Sequence, residues 1–269
     1  MPDLVVHPAG KPLVGSVPVV GDKSIAHRAI LLGGIARGTT RVIGGTLGED
    51  NLATLRALSA MGVSTSSTEG ELRIEGVGLR GLRAPPGDID CGNSGTTMRL
   101  LAGLLVAQRF ASRLVGDASL SRRPMERVAR PLRLRGGRIE GQIDPRRVGE
   151  ITAPLAIGPL PEPMELSPIE YEMPVASAQV KSALLLSGLY ADGTTYVREP
   201  HVSRDHTERM LGALGVPIRS VGGMVELDAR AWSGELPAFE LEVPAMRAGQ
   251  FRGLFFENVE PEYTSLVRR

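Results

Sequence analysis

A lysine, a hydroxyl and an arginine crowd into Gly21-Asp22-Lys23-Ser24-Ile25-Ala26-His27-Arg28, directly ahead of the apolar run Ala29-Ile30-Leu31-Leu32. At a helix start such residues join unpaired backbone N–H groups and the positive end of the helix dipole, an arrangement that attracts anions. Lysine occurs only at Lys11, Lys23 and Lys181, every other cation being arginine, so Lys23 stands out. A capped helix with a solvated basic first turn is the plainer reading of the octapeptide alone.

The elements that must position these residues repeat. Ala29-Ile30-Leu31-Leu32-Gly33-Gly34-Ile35, Met98-Arg99-Leu100-Leu101-Ala102-Gly103-Leu104 and Ala183-Leu184-Leu185-Leu186-Ser187-Gly188-Leu189 are nearly all apolar, which predicts helices buried on every side. A β-branched or alternating run follows each: Thr39 to Val42, Ser112 to Val115 and Thr194 to Val197. Next come amphipathic segments, Leu55 to Val63, Val128 to Ile139 and Met210 to Ile218. Gly62, Gly136 and Gly215 serve there as left-handed C-caps. The unit reads as buried helix, strand, exposed helix, strands, three times over. That predicts an α/β domain with a pseudo-threefold repeat.

Ten positions before Gly34, Gly103 and Gly188 stand Ser24, Asn93 and Ala178, the last beside Ser177 and Gln179. Small polar residues there suit N-caps. Around a threefold axis the three helix starts converge, and with Lys23, Arg28, Arg123 and Arg204 they make a site for a small polyanion.

Composition narrows the field. In 269 residues, 31 basic side chains face 30 acidic ones, so no global field recruits nucleic acid or a membrane and an anion site must be local. A single cysteine, Cys91, excludes an intrachain disulfide and fits a reducing compartment. Neither a signal-peptide pattern nor an apolar run of membrane-spanning length is present, so a cytoplasmic location is expected.

Five ordered motifs carry a family resemblance: Gly21 to Arg28; Gly92-Asn93-Ser94-Gly95-Thr96-Thr97-Met98-Arg99; Gly116 to Met125; Ala176-Ser177-Ala178-Gln179-Val180-Lys181-Ser182; and Ser203-Arg204-Asp205-His206-Thr207-Glu208. From about Lys11 to about Pro244 the chain resembles the 5-enolpyruvylshikimate-3-phosphate synthases. The resemblance implies an inside-out α/β barrel of βαβαββ units. It also implies transfer of the enolpyruvyl group of phosphoenolpyruvate to the 5-hydroxyl of shikimate 3-phosphate, releasing phosphate, in the shikimate route to aromatic amino acids. The implied partners are those two substrates, with no metal, cofactor, nucleic acid or membrane, and a monomeric state.

The roles implied are as follows. Lys23 touches both substrates and offsets charge in the tetrahedral intermediate, while Ser24 and Arg28 hold the shikimate carboxylate, the arginine as a two-pronged fork. Asn93, Gly95 and Thr96 belong to the substrate surface, with Gly95 bringing backbone N–H close to phosphoenolpyruvate. Arg123 pairs with phosphoenolpyruvate, and Ser177, Ala178, Gln179, Ser203 and Arg204 line the shikimate 3-phosphate site. Glycine rather than alanine at Gly95 implies sensitivity to glyphosate.

The family has two similar domains. The resemblance assigns residues 1–20 to the first strand of the second, incomplete one, 21–238 to a complete shikimate-3-phosphate-binding domain, and 239–269 to a return crossing and an atypical tail. After Val243-Pro244 the family pattern Gly-Asp-x-Ser gives way to Ala245-Met246-Arg247-Ala248. Codons exist for which a one-base shift restores Gly-Asp-Ala-Ser, so a frameshifted, truncated end is an expectation. A non-catalytic fragment that binds shikimate 3-phosphate, lacking the acid–base residues of the second domain, is then the alternative to an active transferase.

Other readings are weaker. A sister enzyme on the same fold transfers enolpyruvyl to a UDP-amino sugar with a loop cysteine, but Cys91 precedes Gly92-Asn93 rather than lying in such a loop. Arg122 to Arg138 is arginine-rich, yet aromatic residues make up 4% of the chain, so nucleic-acid stacking platforms are missing. A solvated helix face is expected for those arginines except Arg123. His7, His27, His201 and His206 lack metal-ligand spacing, and His27 is expected to pack beside the helix start.

Overall fold

The computed structural model describes residues 21–44 and 47–244, with short strand segments at 251–252, 255–256 and 267–268. The expectations for residues 1–20 and for the character of the tail therefore lie outside the described residues. Among the described residues no helix is long and apolar enough to cross a membrane.

Three apolar segments form the predicted buried helices, α1 (Lys23–Ile35), α3 (Gly95–Leu105) and α5 (Ala178–Gly188). Each is followed by a strand: β1 (Arg37–Ile43), β5 (Ser112–Val115) and β9 (Thr194–Arg198). The second helices are α2 (Glu49–Ala60), α4 (Glu126–Leu134) and α6 (His206–Ala213). Gly62, Gly136 and Gly215 follow them at φ 94°, 98° and 85°, a backbone state that side chains with a Cβ resist.

The repetition extends to strand order. Hairpins β2 (Ser64–Thr68)/β3 (Glu71–Val77), β6 (Ile139–Ile143)/β7 (Ile151–Ile157) and β10 (Ile218–Val221)/β11 (Met224–Asp228) each add antiparallel to β1, β5 and β9 through their second strand. On the other side of β5 lies the parallel β4 (Ile89–Asp90), and beside β9 the parallel β8 (Ile169–Glu172). The matching place beside β1 is taken by β12 (Glu240–Glu242), far along the chain. The first sheet therefore includes residues 240–242. Strand β15 (Val267–Arg268) pairs antiparallel with β12, and β13 (Phe251–Arg252) with β14 (Phe255–Phe256).

The core lies around the three apolar helices. Ile25, Ile30, Leu100, Leu104, Leu184 and Leu185 have no exposed surface, and the sheets face this centre with residues such as Leu114, Leu155, Val197 and Leu227. Between α3 and α5 the backbones nearly touch at Gly103, where a Cβ would press on the backbone of Ala183. That contact packs the last turn of α3 against the middle of α5 at backbone distance.

One expectation is corrected in this core. Arg135, assigned with its neighbours to a solvated face, has no exposed surface. Its guanidinium donates to the carbonyls of Leu184 (3.0 Å) and Ser167 (3.3 and 3.2 Å) and to the hydroxyls of Ser187 (2.7 Å) and Thr195 (2.9 Å). It follows the last residue of α4, where the chain turns inward, and it joins the second unit to the third. Burial lowers its pKa to about 10.

Candidate functional site

Asp22 caps α1, its Oδ1 accepting from the Ser24 (2.7 Å) and Ile25 (3.0 Å) amides. Ser24 is thus not the cap. Its hydroxyl faces outward and accepts from Arg204 Nη1 at 2.9 Å. The cap of α3 is Ser94 rather than Asn93, and that of α5 is Ser177. Spacing to the glycines locates the helix starts, but only a side chain that reaches back to the N2 or N3 amide can cap them.

Lys23 is exposed and forms an ion pair of 2.7 Å with Asp50, at the start of α2. The carbonyl of Asp50 accepts from Thr97 on α3 (3.1 Å), and the carbonyl of Lys23 accepts from Asn51 (3.0 Å). One turn along α1, Arg28 is buried. Its Nε donates to Thr207 (2.7 Å), Nη1 to the Ser24 carbonyl (2.9 Å) and Nη2 to Ser182 on α5 (2.6 Å). Every nitrogen of this guanidinium has a bond within the chain, so Arg28 lies beneath Ser24 with its fork turned into the protein.

At the start of α3, Asn93 donates to Asp117 (2.6 Å) and accepts from Arg123 Nη2. Gly95 opens the helix beneath two guanidinium groups: a Cβ there would lie 2.8 Å from Arg99 Nη1 and 3.1 Å from Arg123 Nη1. Arg99 Nη1 also reaches Gln179 Oε1 at 2.7 Å, and Gln179 Nε2 donates to Thr96 at 2.9 Å. The starts of α3 and α5 are thereby joined. Burial, then the nearby Arg127 and Arg123 cations, lowers the Arg99 pKa to about 10. Asp117 is shifted below the ordinary carboxylate range, chiefly by the Leu120 amide.

A hydroxyl chain closes the third side. His27 Nδ1 lies 2.8 Å from Thr54 Oγ1, Thr54 is 2.8 Å from Thr97, and Thr97 is 2.8 Å from Ser94. His27 is buried, and burial lowers its pKa to about 4. Cys91 is buried too, its thiol pushed up to about 12 by burial. A thiol so shifted is a poor nucleophile, which weighs against the cysteine-dependent sister reaction.

Hydrogen bonds and ion pairs therefore tie Lys23, Ser24, Arg28, Asn93, Thr96, Arg123, Gln179 and Arg204 into one end of the domain. Gly95, Ser177 and Ala178 lie at the same helix starts, and Ser203 precedes Arg204. Sequence reasoning missed Asp50 and gave Arg99 no role. An arginine within an otherwise apolar helix was the available signal for Arg99; none existed for Asp50.

A repeated α/β domain with three buried-helix starts gathered under arginine and lysine is the architecture of an enolpyruvyl-transferase domain. The family model for EPSP synthase (3-phosphoshikimate 1-carboxyvinyltransferase) matches residues 8–243, and the chain belongs to that family. It is 54% identical over 243 residues to the 3-phosphoshikimate 1-carboxyvinyltransferase of Alkalilimnicola ehrlichii, covering 89% of this chain and 51% of the relative. To the enzyme of that name from Methylococcus capsulatus it is 52% identical over 239 residues, covering 88% and 52%. The solved EPSP synthase from Acinetobacter baumannii superposes with a TM-score of 0.78 at 48% identity, covering 86% of this chain and 50% of that one. The chain spans about half the length of these relatives.

Proposed function

We propose that this chain binds shikimate 3-phosphate across the joined helix starts and takes part in transferring the enolpyruvyl group of phosphoenolpyruvate to its 5-hydroxyl. In that reaction the hydroxyl oxygen bonds to C2 of phosphoenolpyruvate as C3 takes a proton. The tetrahedral adduct then expels phosphate as C3 gives a proton up. Both reactants carry a carboxylate and a phosphate, so the first requirement is cationic groups held in place before the ligands arrive.

The observation that carries this reading is the union of three buried-helix starts with five cations. Lys23 and Arg204, both exposed, meet ligand first. Arg28 and Arg99, both buried, add positive potential from beneath, where the dielectric is lower and charge acts further. Ser24, Ser177, Ala178, Gln179 and Ser203 line the shikimate 3-phosphate side. Asn93, Gly95, Thr96 and Arg123 form the phosphoenolpyruvate side, where glycine leaves room under two guanidinium groups.

Calorimetry with shikimate 3-phosphate, beside phosphate-release assays with both substrates, tests the proposal. Saturable binding that Arg204→Ala weakens, together with phosphate release above background, is the expected result. No binding would overturn the reading of the site. Binding with no release would overturn the transfer step and leave a binding domain.

A further inference from the structure

Behind the Arg204 corner lies a buried charge cluster that the roles above leave unused. Lys181 on α5 is 1% exposed, and its ammonium contacts two carboxylates, Glu199 Oε1 and Glu208 Oε1, each at 2.7 Å. Both glutamates are buried as well. Glu199 follows β9 and Glu208 belongs to α6, so the cluster ties two helices and a strand end together. Two carboxylates against one ammonium leave the charges unbalanced, and burial moves the Glu208 carboxyl upward.

Ionic clusters of this kind are weak sources of stability, because well-packed apolar residues of similar volume often do as well. What the cluster does provide is a set of hydrogen bonds aimed at one residue. The Ser203 amide donates to Glu199 Oε1 at 2.8 Å, and the Ser203 hydroxyl donates to Glu199 Oε2 at 2.6 Å. The Ser203 carbonyl accepts from Lys181 Nζ, more distantly, at 3.5 Å. All the polar groups of Ser203 are thus anchored to buried charges. The next residue is Arg204, whose exposed guanidinium spans to Ser24 on α1.

We propose that Lys181, Glu199 and Glu208 form a positioning unit that fixes the Ser203–Arg204 corner over the start of α1, and thereby sets the affinity for a phosphorylated ligand that none of the three touches. The proposal rests on reading this end of the domain as the shikimate 3-phosphate site. Arg204 has a long side chain on an exposed loop. Without a fixed backbone beneath it, ordering that side chain would have to be paid for at each binding event.

Two measurements on the full chain test it. In ligand-free protein, amide hydrogen exchange at Ser203 is slow, and Glu199→Gln speeds it about tenfold, as loss of a charge-assisted hydrogen bond predicts. By calorimetry Glu199→Gln weakens shikimate 3-phosphate about tenfold, but less than about twofold when Arg204 is already alanine, because the two changes act through one contact. A general loss of structure would weaken both backgrounds alike.

Unchanged exchange at Ser203, or an equal loss in both backgrounds, overturns the proposal. Should Glu199→Gln not fold, Glu208→Gln removes one of the two charges that hold Lys181 and leaves both Ser203 links to Glu199 in place. A smaller loss that again depends on Arg204 supports the unit, and no loss overturns it. If the unaltered chain fails to bind shikimate 3-phosphate, the reading of the site fails, and hydrogen exchange alone decides the positioning claim.

Discussion

Gly34, Gly103 and Gly188 hold equivalent places in the three buried helices, yet replacing each with alanine should have unequal effects. Alanine in a helix interior is favoured over glycine by about 1 kcal/mol, so Gly34 and Gly103 begin with that gain and Gly188, the last residue of α5, with a smaller one. The difference lies in what the new methyl meets. At Gly34 it meets Leu58 Cδ1 at 2.8 Å, the end of a flexible side chain. At Gly188 it meets Thr195 Oγ1 at 2.9 Å, a β-branched residue whose hydroxyl accepts from Arg135. At Gly103 it lies 2.6 Å from Ala183 Cα, with the Ala183 carbonyl oxygen nearer still. Backbone cannot rotate aside, so α3 and α5 would have to part by about 1 Å in a close-packed interior.

Overpacking of that kind costs about 3 kcal/mol or more, leaving Gly103→Ala destabilised by about 2–3 kcal/mol after the helix gain. For a domain of this size the melting temperature should fall by about 5–10 °C. Gly188→Ala should lose about 1 kcal/mol, and Gly34→Ala should stay within about 1 kcal/mol of the parent. Thermal and urea unfolding of the three variants would establish the order. A Gly103→Ala protein melting within about 2 °C of the parent, or Gly34→Ala melting lowest, would refute the claim that close approach of α3 and α5 requires this glycine.

Gly95→Ala should leave stability within about 1 kcal/mol, because the atoms nearest the new methyl are the far ends of Arg99 and Arg123. By displacing them it should weaken phosphoenolpyruvate more than shikimate 3-phosphate in paired titrations, and weaken glyphosate as well. His27, with a pKa of about 4 when folded, binds its proton less readily than in the unfolded chain, where the value is about 6.5. Its contribution is therefore fully present above pH 6.5 and falls away toward pH 4 by up to about 3 kcal/mol, so His27→Asn should flatten urea midpoints measured from pH 7 to pH 4.5. Cys91, buried with a thiol pKa of about 12, should resist a disulfide reagent at pH 8 in the folded chain and react once urea unfolds it.

The repeat was legible because apolar periodicity and C-cap glycines are local signals, and Gly62, Gly136 and Gly215 needed only their own φ angles to act as caps. The family motifs pointed to the helix starts for the same reason. Pairings across long separations were not legible. Lys23 and Asp50 are 27 residues apart, and nothing in either segment specifies that α2 docks with its start against that of α1. The direction of Arg135 was equally hidden. Composition counts its charge, while only the turn after α4 carries it inward to the carbonyls of Ser167 and Leu184. Nor did β12 announce itself, since its place in the first sheet depends on a partner about 200 residues earlier, Arg41 opposite Glu240.

Placing a cationic site at the starts of buried helices sets stability against binding. Arg99 has its charged form disfavoured by burial and by two neighbouring arginines, and Arg28 is buried one turn into α1. An anion held above them reverses that disadvantage, because it stabilises the folded chain and has no comparable site on the unfolded one. At 100 times its dissociation constant a ligand adds about 2.7 kcal/mol to folding stability, which should raise the melting temperature by about 5–10 °C. Inorganic phosphate and shikimate 3-phosphate, each at that multiple of its own constant, should give equal shifts if both act only by binding the native site. A much larger shift with shikimate 3-phosphate would mean that the folded chain takes up more than one molecule of it, and a single preformed anion site would then be the wrong description.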